Sequence, residues 1–124
     1  VVEVTPSYLL VPLDLSRTLD VGDETEFRVE WRLSSMPPRY TYSPLVGTRT
    51  FTTRITFRTE QPPLNLYRFD GVTSTIGSVS VAASVGLPRV ELDRDRSVFG
   101  RFEQMRHGLA YGYVWQMFEG DDFA

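Results

Sequence analysis

Few side chains in this sequence could carry out catalysis, and the most obvious candidate is a single histidine. His107 stands in a Met-Arg-His-Gly turn, and any Ser–His–Asp triad would have to use it because it is the only histidine. The sequence contains no cysteine, which excludes disulfides, thiolate metal sites and cysteine nucleophiles. A zinc site of ordinary composition would therefore lack nitrogen and sulfur ligands. We interpret His107 as an exposed turn residue.

The 16 acidic residues are the other candidates for chemistry. Asp14, Asp20 and Asp23 fall in one turn-rich segment, and Asp93 and Asp95 alternate with arginines. Clustered carboxylates can bind calcium, but the EF-hand spacing is absent and the arginines neutralise the second cluster. A carboxylate pair for glycoside hydrolysis stays open, although nothing in the sequence selects one. We predict that the chain is not an enzyme, with no catalytic residues, metal site or cofactor, and we keep a hydrolase as the third possibility.

The charged side chains that could bind a partner lie on segments with the alternation of β-strands. Residues 24–33, ETEFRVEWRL, place apolar side chains on one side and charged side chains on the other, which predicts a half-buried strand. The apolar side consists of Phe27, Val29, Trp31 and Leu33. Residues 48–58 alternate in the same way and are rich in threonine, which suits a pleated sheet. Its expected inward side chains are Phe51, Ile55 and Phe57.

Pairing of these two strands would create an arginine surface. Its members would be Arg28, Arg32, Arg54 and Arg58, whose guanidinium groups could bind an acidic partner through paired hydrogen bonds. The alternative is a solvated face, because Glu26 and Glu30 could form cross-strand ion pairs with Arg54 and Arg58. Exposed ion pairs contribute little, and interleaved glutamates weaken the positive field, so we favour the solvated face.

The loop SSMPPRYTYSPLVG, residues 34–47, is the best single candidate for a binding site. Its three prolines exclude a helix or a central strand. Met36, Arg39, Tyr40 and Tyr42 are residue types enriched at interface hot spots, and loops at the ends of sandwiches often bind ligands. The alternative is a crossover connection whose tyrosines pack on the edge of the core.

The remaining segments complete an all-β fold. We predict short strands at 8–13, 64–69, 78–85 and 110–118, while 90–106 is the only segment compatible with a helical turn or two. Seven to eight short strands separated by proline and glycine turns indicate an antiparallel β-sandwich of immunoglobulin- or fibronectin-like architecture, with a β-barrel as the alternative. We predict one domain over residues 1–124.

The last strand has a local pattern of its own. Gly108 precedes Tyr111 by three residues, and Tyr113 and Trp115 continue on the same side. This pattern resembles the tyrosine corner of immunoglobulin-like sandwiches, in which the hydroxyl bonds to upstream backbone. It departs from those families because no further strand follows the tyrosine.

Four segments taken in order, DLSRTLDVGDETEFRVEWRL, TRTFTTRITFR, PPLNLYRF and GLAYGYVWQMF, resemble an uncharacterised β-rich domain. That domain forms the C-terminal half of XRE-type helix-turn-helix regulators from high-GC bacteria. The shared elements are a Leu-x-x-Gly entry into a charged strand, an Arg- and Thr-rich strand, a proline-rich break, and a final Gly-x-x-Tyr-Gly-x-x-Trp pattern. Gly108, Tyr111, Gly112 and Trp115 form that final pattern here. The resemblance implies a sensing or partner-binding module without catalytic residues.

Charge and composition limit the partners of the chain. Its net charge is −3, so we expect no direct contact of this domain with nucleic acid, even though all 13 basic residues are arginines and none is lysine. No apolar run approaches the ~18 residues of a membrane span. The absence of cysteine favours a reducing compartment, and we expect the cytoplasm.

These observations predict a non-catalytic sensor or interaction module of a larger bacterial regulatory protein, which binds a protein partner or a small ligand. The alternative is a structural or assembly subunit, such as a shell or virion component, because exposed strands can mediate homo-oligomer contacts. The first residue is Val1 rather than methionine, so we expect a domain cut from a longer chain or a processed product.

Overall fold

The computed structural model describes residues 3–4, 9–10, 18–33, 36–44 and 49–118. The chain divides into two compact units, Val1–Arg32 and Leu33–Ala124. In the first unit, β1 (Glu3–Val4) and β2 (Leu9–Leu10) pair antiparallel. β2 confirms part of the strand predicted at 8–13, and the rest of that segment lies outside the described residues. The prediction of one domain over the whole chain stays a prediction.

The described part of the second unit contains five strands and one short helix. They are β3 (Arg39–Tyr42), β4 (Thr50–Thr56), β5 (Asn65–Val72), α1 (Val79–Ser84), β6 (Ser97–Glu103) and β7 (Ala110–Gln116). The strands form two antiparallel sheets, one with the order β3-β7-β5 and one a ribbon of β4 and β6. The all-β class is confirmed. In the described part of the second unit there are five strands rather than the seven to eight of the predicted sandwich, and the two sheets do not close into the alternative barrel.

β7 is the centre of the second unit and confirms the strand predicted at 110–118. It lies between β3 and β5, and six of its seven residues are buried. Tyr111, Tyr113 and Trp115 belong to the core cluster on one face, whereas Ala110 and Val114 belong to the cluster on the other face. A strand covered on both faces is apolar at successive positions, which explains the composition of this segment.

The first face of this sheet packs against the β4–β6 ribbon. Phe57, Val98 and Phe102 come from the ribbon and its end, and they pack with the aromatic side chains of β7. The Phe57 and Trp115 rings meet edge to face, with centroids 5.1 Å apart and planes at 82°. The β4 residues Phe51 and Ile55 are half-buried and Phe57 is buried, so the inward face predicted for 48–58 is confirmed.

The second face packs against α1, where the sequence predicted a strand at 78–85. Ser78 caps the helix by accepting a hydrogen bond from Val81 N–H at 3.2 Å. The helix ends at Ser84, and Gly86 follows with a φ of +77°, while Leu87 N–H donates to Ala82 C=O at 3.0 Å. The Ser-Val-Ser-Val alternation suggested a strand, but the flanking serine and glycine are the signals of a capped helix.

Residues 24–33, predicted as the clearest strand, have no helix or strand assignment. Phe27, Trp31 and Leu33 of the predicted buried side are 66%, 53% and 61% exposed, and Val29 is 42% exposed. The pairing considered between 24–33 and 48–58 is not seen among the described strands, where β4 pairs with β6 in a register that places Arg54 opposite Phe99. Alternation makes a strand only where another strand supplies hydrogen bonds, and no other described segment does so for 24–33.

Residues 90–106, which the sequence left ambiguous, contain no helix. Asp93 organises a turn, since its Oδ1 atom accepts hydrogen bonds from Asp95 N–H and Ser97 N–H, both at 2.9 Å. β6 then begins at Ser97. The strand predicted at 64–69 is confirmed as β5, which continues to Val72 with a register shift between Asp70 and Val72.

The hydrogen bond expected of a tyrosine corner is present. The Tyr111 hydroxyl accepts a hydrogen bond from Arg106 N–H at 2.7 Å. Gly108 lies in the intervening turn with φ +87°, a conformation that favours glycine. The bond fixes the turn that leads into β7, although the strand order differs from that of an immunoglobulin domain.

Candidate binding surface

The outward face of the β4–β6 ribbon combines exposed polar, cationic and aromatic side chains. Four exposed side chains at its centre define this ribbon face, namely Thr52, Arg54, Phe99 and Arg101, and the exposed Thr50, Thr56 and Glu103 lie on the same side at its ends. Their inward neighbours along both strands are buried or half-buried, because successive side chains of a strand point to opposite faces. The alternation therefore places threonine, arginine and phenylalanine together on the solvent side.

Phe99 is the centre of the ribbon face. Its side chain is 60% exposed and lies opposite Arg54 in the ladder, while Thr52 lies opposite Arg101. Arg101 Nε is 2.6 Å from Glu103 Oε1, and both side chains are more than half exposed. An exposed pair of this kind contributes little to stability, so a ligand carboxylate can replace the Glu103 partner at small cost.

The charge of the segment 49–58, which contains β4, is opposite to that of the whole chain. Residues 49–58 contain three arginines and no acidic residue, whereas the chain carries a net charge of −3. Arg54 and Arg58 are both exposed. A positive strand on an acidic protein attracts acidic ligands to one place, and guanidinium groups bind carboxylates in a planar, bidentate manner.

The two edges of the ribbon differ. On β6, Ser97 N–H donates to Asp93 Oδ1 and Ser97 C=O accepts from Asp93 N–H, both at 2.9 Å. The carbonyl of Arg101 accepts from Arg68 Nη2 at 2.8 Å. The odd-numbered residues of β6 thus direct their backbone groups away from β4, and both groups of Ser97 and the carbonyl of Arg101 are bound by other parts of the fold.

The same geometry leaves the outer edge of β4 open to another strand. Opposite residues in an antiparallel ladder share one orientation, so Thr52, Arg54 and Thr56 direct their N–H and C=O groups away from β6. No strand of the described ranges pairs with this edge. An edge of seven residues without proline can accept an additional strand by backbone hydrogen bonding.

Arg68 holds the ribbon on the sheet below it. Its guanidinium carbon lies 4.1 Å from the centroid of the Phe102 ring, and its Nη2 atom is 3.4 Å from Asp70 Oδ2. Together with the bond to Arg101 C=O, these contacts connect β5 to the back of the ribbon face. The ribbon face is therefore carried by a supported scaffold rather than a loop.

The predicted loop residues do not form one surface. Tyr40 and Tyr42 lie on the same side of β3, and their rings stack on Phe51 with centroids 6.4 and 4.0 Å away. Arg39 lies on the opposite side of the strand because it alternates with Tyr40. Met36 precedes the strand and is 40% exposed. This arrangement fits the alternative in which the tyrosines pack on the core edge, and a binding role for the four residues stays a prediction.

Burial raises the pKa of the Tyr40 hydroxyl above its ordinary value of 10.0, and the neighbouring Tyr42 raises the pKa further. The cause is that a phenolate loses water in a half-buried position and is repelled by a second phenolate. The hydroxyl of Tyr40 therefore stays protonated at neutral pH. It can serve as a hydrogen-bond donor but has no character of a base.

The four arginines of the predicted surface fall in both units, and a joint binding role for them stays a prediction. Arg54 and Arg58 lie on or beside β4 in the second unit, whereas Arg28 and Arg32 belong to the first unit. Arg32 Nε lies 3.5 Å from Glu30 Oε1, and both side chains are largely exposed. Within the second unit, the ladder of the ribbon brings Arg54 together with Phe99 and Arg101.

The histidine and the described aspartates that were considered for catalysis or metal binding lie in turns. His107 is exposed in a turn, as predicted. Asp20 N–H donates to Asp23 Oδ2 at 2.9 Å, so these two residues close a local turn, and Asp14 lies outside the described residues. Within the described ranges, no three His, Asp or Glu side chains cluster closely enough to hold a metal ion.

Two surface clefts are present in the second unit. One has a volume of about 270 Å³ and lies between the Pro62–Leu64 segment and residues 89–93, with Arg96 at its rim. Arg96 Nη1 donates hydrogen bonds to the carbonyls of Thr59 and Glu60, at 2.6 and 3.1 Å. The other, of about 280 Å³, lies beside Asp70, Glu103 and Tyr111. Some of the lining residues, among them Arg96 and Tyr111, make hydrogen bonds within the chain.

Comparisons with protein-family models, with curated proteins and with solved structures find no match for this chain. No helix in the described ranges is long and apolar enough to span a membrane. Sequence reasoning found Arg54 and Arg58, but it missed Phe99, since SVFGRFE lay in the ambiguous segment 90–106. The alternation of Val98, Gly100 and Phe102 was the available signal.

Proposed function

We propose that this chain is a non-catalytic protein-binding module. Its ligand is an extended acidic segment of a partner protein, which adds to the outer edge of β4 and places side chains on the ribbon face. The observation that carries the proposal is the coincidence of three features on β4: an edge without a strand partner in the described ranges, an arginine directly opposite an exposed phenylalanine, and no acidic residue over 49–58.

The recognition follows from ordinary strand chemistry. Backbone groups of the ligand bond to those of Thr52, Arg54 and Thr56, which supplies affinity that is independent of sequence. Alternate ligand side chains then face the ribbon face, where a carboxylate meets Arg54 or Arg101 and an apolar side chain covers Phe99. A single exposed phenylalanine is ordinary on a protein surface, so the proposal depends on its combination with the edge and the arginines.

A titration with a synthetic peptide tests this proposal. The probe is a fluorescein-labelled decapeptide that alternates glutamate and valine, and the control probe alternates lysine and valine. We expect fluorescence anisotropy to show saturable binding of the acidic peptide only, weakening as salt is added because the contacts are exposed ion pairs.

Variants of the chain locate the contact. We expect Phe99→Ala and Arg54→Ala each to weaken binding roughly tenfold, the loss expected from about 1.4 kcal/mol. Arg94→Ala is the matched control, since Arg94 is an exposed arginine in the turn before β6. Binding of both peptides with equal affinity, or equal effects of all three substitutions, contradicts the proposal.

The proposed setting is a larger bacterial regulatory protein of the cytoplasm, in which this domain senses or contacts a partner and leaves DNA binding to another part. Support comes from the resemblance described above, whose Gly108, Tyr111, Gly112 and Trp115 pattern builds the central strand and its hydrogen-bonded turn. Sequencing of the natural reading frame tests this setting. A helix-turn-helix segment upstream is expected, and its absence from the whole reading frame contradicts it.

A structural or assembly role is the second candidate, and one observation favours it. The first unit exposes three large apolar side chains, Phe27, Val29 and Trp31, at alternate positions. Exposed apolar rows are typical of surfaces that another chain covers. Light scattering separates the two roles, because a large closed assembly is expected of a structural subunit and a monomer or dimer of a binding module.

A further inference from the structure

The charged and apolar residues of 26–32 form a sequence that complements itself. In the first unit this segment has no strand assignment, and all of its residues are exposed. Its charged positions read Glu26, Arg28, Glu30 and Arg32, with apolar residues at 27, 29 and 31. An antiparallel partner that carries the same sequence reverses this order, and the reversed order has the opposite charge at every charged position.

We propose that two copies of this chain pair through residues 26–32 as antiparallel strands related by a two-fold axis at Val29. In this register Glu26 faces Arg32 of the partner subunit, and Arg28 faces the partner's Glu30. Symmetry repeats both contacts, so every charge on this face lies opposite a charge of the other sign. A closed, two-fold contact of this kind is isologous and does not propagate.

The apolar side of the same ladder is complementary too. Phe27 lies opposite the partner's Trp31, and Val29 lies opposite its own copy at the axis. Aromatic cross-strand pairs are among the stabilising pairs of antiparallel sheets. The pairing therefore covers the exposed apolar row of the free chain, in which Phe27 is 66% and Trp31 is 53% exposed.

Neighbouring registers lose the opposite-charge contacts across the ladder, so the sequence favours the proposed register over them. A shift by one residue places charged side chains opposite apolar ones, because the two faces of a strand exchange. A shift by two residues in one direction places Arg28 opposite its own copy and Glu26 opposite Glu30. The same shift in the other direction places Glu30 opposite its own copy and Arg28 opposite Arg32. Like charges directly opposite one another destabilise a sheet.

The existing ion pair of the segment does not oppose this arrangement. Arg32 Nε lies 3.5 Å from Glu30 Oε1 of the same chain, with side chains 88% and 61% exposed. Exposed pairs of this kind contribute almost nothing, so both groups can take partners across the ladder. The inference is independent of the ribbon face, since it uses residues of the first unit only.

Cysteine crosslinking tests the position of the axis. The chain has no cysteine, so Val29→Cys introduces a single thiol that lies opposite its own copy, within the Cα distance that a disulfide spans. Phe27→Cys is the matched control, because its two copies lie four residues apart along the ladder, about 14 Å. With a mild oxidant we expect a disulfide-linked dimer from V29C and little from F27C. Equal crosslinking of both variants, or none of either, overturns the proposal.

Charge reversal tests the register without any crosslink. Light scattering of the unmodified chain is expected to show concentration-dependent dimer of twice 14.2 kDa. Glu26→Arg creates two like-charge contacts and is expected to raise the dissociation constant roughly tenfold. Arg32→Glu is expected to do the same, whereas the double variant E26R/R32E restores every opposite-charge contact and the dimer. A monomer at all concentrations, or a double variant weaker than either single one, overturns the proposal.

Discussion

The guanidinium of Arg68 stacks over the ring of Phe102, with its central carbon 4.1 Å from the ring centroid. Arg68 belongs to β5 and Phe102 to β6, so this contact joins the two sheets of the second unit. The same guanidinium donates to Arg101 C=O at 2.8 Å. A planar cation that is both stacked and hydrogen-bonded cannot be replaced by an ammonium group without loss, because only the guanidinium has the flat shape and the spread of donors.

Arg68→Lys is therefore expected to lower the free energy of unfolding by about 1–2 kcal/mol, through the lost stacking and the weakened backbone bond. Urea denaturation followed by tryptophan fluorescence measures the change. Arg94→Lys changes an exposed turn arginine in the same way and is expected to shift stability by less than about 0.5 kcal/mol. Equal effects of the two substitutions would show that the stacked contact contributes nothing.

Gly100 and Tyr113 are expected to be energetically coupled. A methyl group at position 100 would overlap the Tyr113 hydroxyl and lie 3.0 Å from the ring carbon that bears it. We expect Gly100→Ala to cost about 1–3 kcal/mol, the range for overpacked cores. In the Tyr113→Phe background the cost is expected to be smaller, since the overlapping oxygen is gone. A double-mutant cycle by urea denaturation measures this coupling, and strictly additive effects would contradict it.

Removing the hydroxyl group is expected to lower the stability of the fold at Tyr111 but not at Tyr113, although both tyrosines belong to β7. Tyr111→Phe removes the acceptor of Arg106 N–H and is expected to cost about 1 kcal/mol. Tyr113→Phe is the control, because its buried hydroxyl has no hydrogen-bond partner in the described part of the chain. Its removal leaves stability unchanged or raises it slightly. Thermal unfolding measures the stability of the two variants. An equal loss of stability in both would argue against the tyrosine corner.

Stability is expected to fall in alkaline solution through Tyr40. Its pKa is raised in the folded chain above 10.0, with burial as the larger cause and Tyr42 as the smaller one. A raised pKa contributes stability that is complete below pH 10 and is lost as the pH rises through the folded-state value. Tyr40→Phe is expected to flatten the decline of unfolding free energy above pH 10. An unchanged alkaline slope in this variant would contradict the assignment.

The sequence predicted the core strands β4, β5 and β7, but it left β6 in an ambiguous segment and predicted a strand at 24–33 where none is assigned. Residues 48–58 and 110–118 have alternating or continuous apolar residues that meet a complementary surface, and both form strands. Residues 24–33 have the cleaner alternation, yet no described segment pairs with them. Alternation records which face could be buried, but the partner strand is a long-range property that the local pattern does not contain.

The local sequence pattern was also insufficient to predict the helix α1 and the grouping of side chains on the ribbon face. α1 is six residues long, which is too short for the 3.6-residue repeat of apolar positions to be recognised. Its only sequence signals are the capping Ser78 and the following Gly86. Arg54 could be assigned to an outward face from alternation alone. Its neighbours could not, because Phe99 and Arg101 reach it through the β4–β6 register, and Arg68 supports them from a different sheet.

Backbone NMR of the chain with the alternating Glu–Val peptide tests the central claim most directly, since it reports where the ligand adds. The account predicts that the amides of Thr52, Arg54 and Thr56 become protected from hydrogen exchange on binding, with the largest shift changes on β4 and around Phe99. Amides of Arg39–Tyr42 are expected to change little. Protection confined to Arg39–Tyr42, with β4 unaffected, would contradict the account and return the binding site to the proline-rich segment.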